Sequence, residues 1–382
     1  MKVGLLGFGT VGVGVFEMLR GARGLEQGPV LVRPGKDDAP YKVTSIDAIV
    51  NDPSVGAVAE VMGGVEPAFT YAAKALSAGK HFVTSNKALV AAHGIELADI
   101  ARCHGAAFLF SAACGGGVPF LHNLALARRS DRIASLGGIL NGTTNYMLDA
   151  MQRLGLDYAD ALADAQRLGY AEADPSADVS GLDALRKIML GCAVAYDRLP
   201  TEGLLNEGIE AITAADAAHF MSLGYTCRLV ASGGLAESGE VYAYVEPVLL
   251  KRGAPECAVL ANYNMARYTG ECAGPIVFMG QGAGRWPTAS AVLRDLGCVL
   301  GGERAMLTED CVRTSASNGS SVHRYYVRLP AELAGEMAHD TAECENGIAR
   351  MTTEPMSVLE MHAAAKNIRE RGRELFFAAI ED

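Results

Sequence analysis

Two stretches of the chain carry residue types at spacings that serve chemistry. The first, GFGTVG at residues 7–12, is a G-x-G-x-x-G that follows an apolar run and opens a helical pattern. Its first glycine permits the turn, its second lets backbone approach a pyrophosphate, and its third lets helix and strand pack closely. The second, GYAEADPSADVSGLDALRK at residues 169–187, sets four carboxylates (Glu172, Asp174, Asp178 and Asp183) ahead of Lys187. Asp183 and Lys187 stand one helical turn apart. Taken alone, the stretch also reads as a solvated acidic loop followed by an exposed ion pair, just as the glycines also read as an ordinary tight turn.

The elements that must position these residues are legible in the apolar pattern. Over roughly the first 130 residues, KVGLLGFG, PVLVR, GAVAEVMGG, KHFVTSNKALV, AAFLFSAACGGG and RIASLGGIL alternate with helical patterns. That alternation implies βαβ units and a mostly parallel sheet. Ligands of such sheets lie outside the carboxyl ends of the strands. A ligand is therefore expected at the turns of residues 7–12, 63–64, 85–87 and 115–117. From about residue 141 the pattern lengthens into the helices YADALADAQRLG and GLDALRKIMLGCAVAY. The strand-like EVYAYVEPVLL and GPIVFMG come next, then GQGAGRWPTASAVLRDL, a loop opening a helix. In the tail, SVHRYYVRL reads as a strand, and AAAKNIRERGRELFFAAI as an amphipathic helix with Leu375 and Phe376 on its apolar face.

Composition narrows the function classes. The chain has 382 residues, which suits two or three domains. A net charge of -11, with no run of lysines or arginines, argues against nucleic acid and anionic membrane as partners. A small molecule is the expected partner. The nine cysteines never fall at C-x-x-C spacing, so neither a zinc site nor a disulfide framework is expected, and they read as reduced cytoplasmic thiols. His104, His122 and His219 have no partner at ligand spacing. No signal peptide is expected, and no apolar stretch is long enough to span a membrane.

Past the second apolar run, where an acid would take a ribose 2′-hydroxyl, the chain reads LVRPGKDD. Arg33 and Lys36 come before any carboxylate and suit a 2′-phosphate, so NADP is the expected cofactor. NAD stays open, because Asp37 or Asp38 curling back would supply the acceptor.

Three further stretches, SNKALVA (residues 85–91), GILNGTTNYML (138–148) and GAGRWPTASAV (282–292), together with the acidic stretch at 169–187, resemble in order and spacing the motifs of homoserine dehydrogenases. The resemblance covers roughly residues 1–315. It implies NAD(P)H-dependent reduction of L-aspartate 4-semialdehyde to L-homoserine, in threonine, methionine and isoleucine biosynthesis. It also implies an α/β fold with three parts. These are an N-terminal Rossmann-type doubly wound parallel sheet (residues 1–130, with a return segment at about 282–318), an α+β substrate and dimerisation domain (131–281), and a short degenerate tail (319–382). By resemblance Lys187 donates the proton, supported by Asp183, and Lys87 lies by the nicotinamide and the substrate. Glu172 holds the substrate amino group and Asp178 shapes the pocket. Gly7, Phe8, Gly9, Thr10, Val11, Gly12, Ser85, Lys87 and Gly282 fall to the cofactor. A homodimer or homotetramer is implied.

The substrate's chemistry agrees with these roles. Homoserine carries an ammonium that wants a carboxylate, a carboxylate that wants a cation or backbone donors, and a carbinol that must lose a proton and a hydride. Glu172, then Lys87 or the NGTTN turn (residues 141–145), and Lys187 supply these in order, and the surrounding acids are expected to keep Lys187 charged. The NGTTN turn also reads as a plain helix start capped at Thr144 or Asn145, and Trp286 reads as packing.

The chain departs from the family in two places. SAACGGGVP (residues 111–119) aligns with a segment that usually begins with glutamate and supplies a sodium site. With Ser111 there, the carbonyls of Cys114, Gly116 and Val118 remain for a hard cation such as Na+, at lower affinity. In the tail, HRYYVRL resembles the first strand of an ACT-type regulatory domain, but the remaining residues to the C-terminus are few and lack the expected glycine-containing turn, so regulation by threonine is in doubt. Two other functions share the cofactor turn: a catalytically silent sensor, and a dehydrogenase for another amino-acid aldehyde. The presence of Lys187, Asp183, Glu172 and Lys87 favours the active enzyme.

Overall fold

The chain begins with β1 (Lys2–Leu6), four of whose five residues are buried, and turns at Gly7 into α1 (Thr10–Leu19). In the computed structural model, which describes residues 1–35 and 39–381, the same alternation continues through nine more elements before residue 130. They are β2 (Glu26–Leu31), β3 (Lys42–Val43), α2 (Asp47–Val50), β4 (Val55–Glu60), α3 (Ala68–Ser77), β5 (His81–Thr84), α4 (Lys87–Cys103), β6 (Phe108–Leu109) and α5 (Phe120–Ala127), joined by a short 3-10 turn at Ser111–Ala113. The six strands are all parallel and stand in the order β3-β2-β1-β4-β5-β6. That is the doubly wound order, in which the crevice for a ligand opens where the winding reverses, between β1 and β4.

β7 (Ile133–Ile139), the RIASLGGIL run, joins a different sheet from the runs before it, pairing antiparallel with a later strand. After it come α6 (Gly142–Leu154), α7 (Tyr158–Arg167), α8 (Ser176–Val179), α9 (Leu182–Tyr196), β8 (Arg198–Glu202), β9 (Leu205–Asn206), α10 (Ala214–Ser222), β10 (Tyr225–Leu235), β11 (Val241–Lys251) and β12 (Tyr263–Gly270). β13 (Gly274–Gln281) and α11 (Arg285–Leu300) are next, and β14 (Val312–Ser315) leads into the tail. The tail comprises β15 (Val322–Pro330), β16 (His339–Glu345), β17 (Ile348–Thr353), β18 (Met356–Ser357), α12 (Val358–Glu370) and β19 (Phe376–Glu381). One compact unit comprises residues 1–133, 189–199 and 270–313, and the other comprises 134–188, 200–269 and 314–382.

Within the second unit the sheet runs β12-β7-β10-β11-β19-β15-β17-β16. The tail thus contributes four strands in the order fourth, first, third, second, the arrangement of a β-α-β-β-α-β unit. Its first crossing is only the six-residue 3-10 turn Ala331–Glu336, which is why the segment reads as short. The helix expected to carry Leu375 and Phe376 ends at Glu370 instead, and Gly372 adopts a φ of +70°. Beyond that turn the aromatic and small apolar residues enter β19, which pairs parallel with β11 and antiparallel with β15. Val230 and Val248 share one core with Tyr325, Met361, Ile368 and Phe377, so tail and central strands bury their apolar faces together. Each such side chain contributes roughly 1.5–3 kcal/mol when fully buried.

Gly138 shows how tightly this sheet closes. It sits at φ +133°, and a Cβ there would fall onto the carbonyl oxygen of Met265. Gly138→Ala is expected to destabilise the fold by on the order of 3 kcal/mol through overpacking and backbone strain. A urea unfolding midpoint indistinguishable from the unaltered chain would contradict the close approach.

Candidate active site

The glycine turn of the first unit divides its labour by position. Gly7 takes a φ of +98° and donates its N–H to the Leu31 carbonyl at the end of β2 (3.1 Å). Gly12 lies so close to the Gly7 carbonyl that a Cβ would strike it, whereas a Cβ on Gly9 would meet nothing within 4 Å. The open face at Gly9 is the N-cap of α1, whose first turn carries no acidic residue. Backbone N–H groups and the positive end of the helix dipole are thus presented to a phosphate, with Phe8, Thr10 and Val11 filling the turn. A Cβ on Gly14 would meet Arg285 and Ala289, which puts the start of α11 against α1. The loop before α11 in turn closes on the 115–117 turn, where a Cβ on Gly116 would come 2.5 Å from the Gly282 carbonyl. Trp286, expected as packing, is half exposed beside Arg285. Arg33 stands exposed two residues beyond β2. Lys36, the other cation expected at a 2′-phosphate, lies outside the described residues.

Glu60, at the end of β4, is a residue that sequence reasoning missed. Fully buried, it accepts hydrogen bonds from the N–H groups of Met62 (2.6 Å) and Gly63 (3.2 Å) and from the Thr84 hydroxyl (2.6 Å). Burial pushes its carboxyl above the usual range, opposed by these donors. Asn86 donates to the Gly64 carbonyl (2.5 Å) and caps α4 by accepting from Leu89 N–H (3.1 Å). Glu60 and Asn86 together shape the turns after β4 and β5, and so place Ser85 and the partly buried Lys87, the first residue of α4. The available signal was an acid at the carboxyl end of an apolar strand, where charge is costly without partners.

In the second unit the acidic stretch and the NGTTN turn come together. Lys187 Nζ lies 2.7 Å from Asp183 Oδ2 and donates to the Leu140 carbonyl at 2.6 Å. Lys187 and Asp183 are only 8 % and 7 % exposed, so the pair is not the solvated one that spacing alone permits. Asn141 donates to both Asp183 (2.9 Å) and Asp178 (2.7 Å), and its Oδ1 caps α6 by accepting from Thr144 N–H (2.9 Å). The cap is therefore Asn141 and not Thr144 or Asn145, because Asn141 alone has the extended backbone a cap needs. Asn145 donates instead to the carbonyls of Val259 (3.1 Å) and Ala261 (2.9 Å). Thr143 donates to the Tyr170 carbonyl (2.6 Å) and to Asp178 (3.3 Å). Burial raises the Asp178 carboxyl first of all, the neighbouring Asp183 charge adds to that, and Asn141, Lys187 and Thr143 oppose it. Glu172 is exposed on the turn before α8 and takes no part in these hydrogen bonds.

The segment considered for a cation has some of its polar groups engaged within the protein. Ser111 commits its hydroxyl to Asp295 of α11, which also accepts from Ala112 N–H (3.4 Å). Val118 gives its carbonyl to the Phe120 N–H (2.9 Å). None of Cys114, Gly116 and Val118 carries an acidic side chain, and neutral carbonyls alone are a weak set for a hard cation. Among the described residues no group of three or more His, Cys, Asp or Glu side chains is placed to hold a metal ion. His122 faces the Cys298 thiol at 3.7 Å. Among the described residues no helix is long and apolar enough to cross a membrane.

Family models match most of the chain. One described as "Homoserine dehydrogenase, NAD binding domain" matches residues 7–111, and one described as "Homoserine dehydrogenase" matches residues 119–296. The chain is 41 % identical to a homoserine dehydrogenase of Synechocystis sp. over 79 % of its own length and 73 % of the relative's. It is 37 % identical to that of Corynebacterium glutamicum over 97 % and 86 %. Among solved structures, a homoserine dehydrogenase from Thiobacillus denitrificans superposes with a TM-score of 0.89 at 30 % identity, covering 100 % of this chain and 98 % of that one. A hyperthermophilic archaeal homoserine dehydrogenase in complex with NADPH superposes with a TM-score of 0.67 at 25 % identity, covering 79 % and 98 %.

Asp295 yields a pH prediction. Burial pushes its carboxyl up to about 6, above the unfolded value of 3.8, so the stability tied to its protonated form is present below pH 4 and lost as pH rises through 6. Asp295→Asn cannot ionise, and its thermal midpoint should gain on that of the unaltered chain as pH rises from 4 through 6 and then level off. A constant difference across that range would show that Asp295 does not titrate there.

Proposed function

The chain belongs to the homoserine dehydrogenase family, NAD(P)-dependent oxidoreductases acting on the CH–OH group of homoserine, and we propose that Lys187 is its proton donor and acceptor. The reaction is the NAD(P)H-dependent reduction of L-aspartate 4-semialdehyde to L-homoserine, a step of amino-acid biosynthesis. The observation that carries the proposal is the buried ammonium of Lys187, aimed by Asp183 at 2.7 Å and the Leu140 carbonyl at 2.6 Å. In reduction Lys187 gives a proton to the aldehyde oxygen, and in oxidation it takes the carbinol proton back. Asp183 stabilises the charged form in both directions and fixes where the amine points.

The substrate's ammonium is assigned to Glu172, which is exposed on the turn before α8, with Asp178 shaping the pocket beside it. Asp178 is already oriented by Asn141 and Thr143, so binding does not have to order it. When bound, the nicotinamide supplies or accepts the hydride. Residues 7–12 are assigned to its pyrophosphate, Ser85, Lys87 and Gly282 to its remaining contacts, and Arg33 to a 2′-phosphate, which makes NADP the preferred cofactor. The related archaeal structure in complex with NADPH supports that preference. The proposal extends to a cytoplasmic homodimer, with a homotetramer as the alternative.

Lys187→Ala should lower turnover roughly 100- to 10,000-fold, the range for removing one general acid. Homoserine oxidation should rise from pH 7 to pH 10 as Lys187 becomes available as a base, and a flat or falling profile would count against it. Arg33→Ala should raise KM for NADPH about 10-fold and leave KM for NADH unchanged, as expected for one lost ion pair of about 1.4 kcal/mol. Equal changes for both cofactors would remove Arg33 from the 2′-phosphate.

A further inference from the structure

The turn that carries Asp178 and Asp183 is held from outside as well as by its own backbone hydrogen bonds. Its residues 179–181 lie along the strip of residues 206–209, within the same unit. Asn206 donates to the Ser180 carbonyl (2.7 Å), and Ile209 N–H donates to the Val179 carbonyl (2.9 Å). A Cβ on Gly208 would run into the Val179 carbonyl and the Ser180 backbone, and one on Gly181 would come 3.2 Å from the Glu207 carbonyl. Strip and turn are thus in backbone contact along their length, and a shift of one moves the other.

Glu207 sits in the middle of the strip. Its N–H donates to the Val245 carbonyl of β11 (2.7 Å), and its carboxylate is largely buried. That carboxylate accepts two parallel hydrogen bonds from Arg369 of α12, at 2.9 and 2.6 Å. Further along, fully buried Asp216 accepts from Tyr326 (3.1 Å) and from Arg328 (3.0 Å), both on β15, while Arg328 also donates to the Ala211 carbonyl (2.6 Å). Two arginines of the tail therefore clasp the segment at Glu207 and at Asp216.

We propose that Arg369 is a positioning residue for homoserine: by pairing with Glu207 it holds the 206–209 strip, and through it the turn on which Asp178 and Asp183 stand. The physical lever is charge burial. Without Arg369, Glu207 is a largely buried carboxylate lacking its partner, and the strip must move to hydrate it. The tail thus acts as a brace of the substrate-binding turn. This inference rests on the reading of the Lys187 cluster as the place of homoserine chemistry.

The test is steady-state kinetics of homoserine oxidation with Arg369→Leu, Arg369→Lys and Arg369→Leu combined with Glu207→Gln, each confirmed as folded by its thermal midpoint. Arg369→Leu should raise KM for homoserine at least 10-fold while KM for NADP+ stays within 2-fold. Arg369→Lys, which keeps the cation, and the double variant, which removes the uncompensated charge, should each recover much of that loss. Parallel changes in both KM values, no change in either, or an Arg369→Lys as impaired as Arg369→Leu would overturn the positioning role. Lys187→Ala run alongside separates the two levels. Lost turnover there with an unaltered Arg369→Leu overturns the brace alone, whereas full turnover in Lys187→Ala removes the reading beneath it.

Discussion

A lysine and an aspartate, 2.7 Å apart and nearly out of water, set the terms for the second unit. Removing two charges from solvent costs several kcal/mol per ion, and their mutual attraction offsets that only when the remaining polar atoms are also satisfied. The satisfaction comes from one place in the chain, the end of β7. Leu140 supplies the carbonyl for Lys187, and Asn141 supplies the amide for Asp183. The same Asn141 binds Asp178 and caps α6, so strand end, helix start and acidic turn are fixed by a single side chain. A pair that is weak evidence for stability becomes strong evidence for function when so much surrounding structure is committed to it.

The first unit solves a different problem with backbone. Its glycines give an open helix start at Gly9, closed packing at Gly12 and a reversed φ at Gly7, three properties that no side chain could supply together. Behind them Glu60 does for the β4 and β5 turns what Asn141 does for the acidic turn, using one buried polar group to satisfy several partners, three donors in the case of Glu60. Oxidoreduction needs a cofactor cradle and a proton carrier. On the proposed reading, residues 7–12 with Ser85, Lys87 and Gly282 serve the first need and Lys187 of α9 the second.

The features legible in the sequence were local. The glycine spacing and the i,i+4 spacing of Asp183 and Lys187 are properties of one turn or one helix, and the structure shows the glycines at the start of α1 and the pair 2.7 Å apart. The hidden features depend on distant partners: Thr84 is 24 residues from Glu60, Glu207 is 162 from Arg369, and Ser111 is 184 from Asp295. The loss of a glutamate at position 111 looked like a missing ligand, yet a carboxylate from α11 stands against that serine. The tail helix was overextended because FFAAI continues an apolar pattern in sequence, while Gly372 and the vacant edge of β11 draw it into a strand. Cap position was missed for a similar reason, since Asn141, Thr144 and Asn145 compete within five residues and only backbone conformation at Asn141 decides.

The central claim, that Lys187 is the proton carrier and that Asp183 and Asn141 exist to aim it, is tested most directly by chemical rescue. Homoserine oxidation by Lys187→Ala would be followed by NADPH absorbance while small primary amines of graded basicity are added. Recovery of turnover that saturates with amine and increases with amine basicity is the predicted result, because an amine seated in the cavity beside Asp183 replaces the missing base. Absence of rescue by every amine, in a variant that still binds homoserine and NADP+, would contradict the assignment and move the proton to another group.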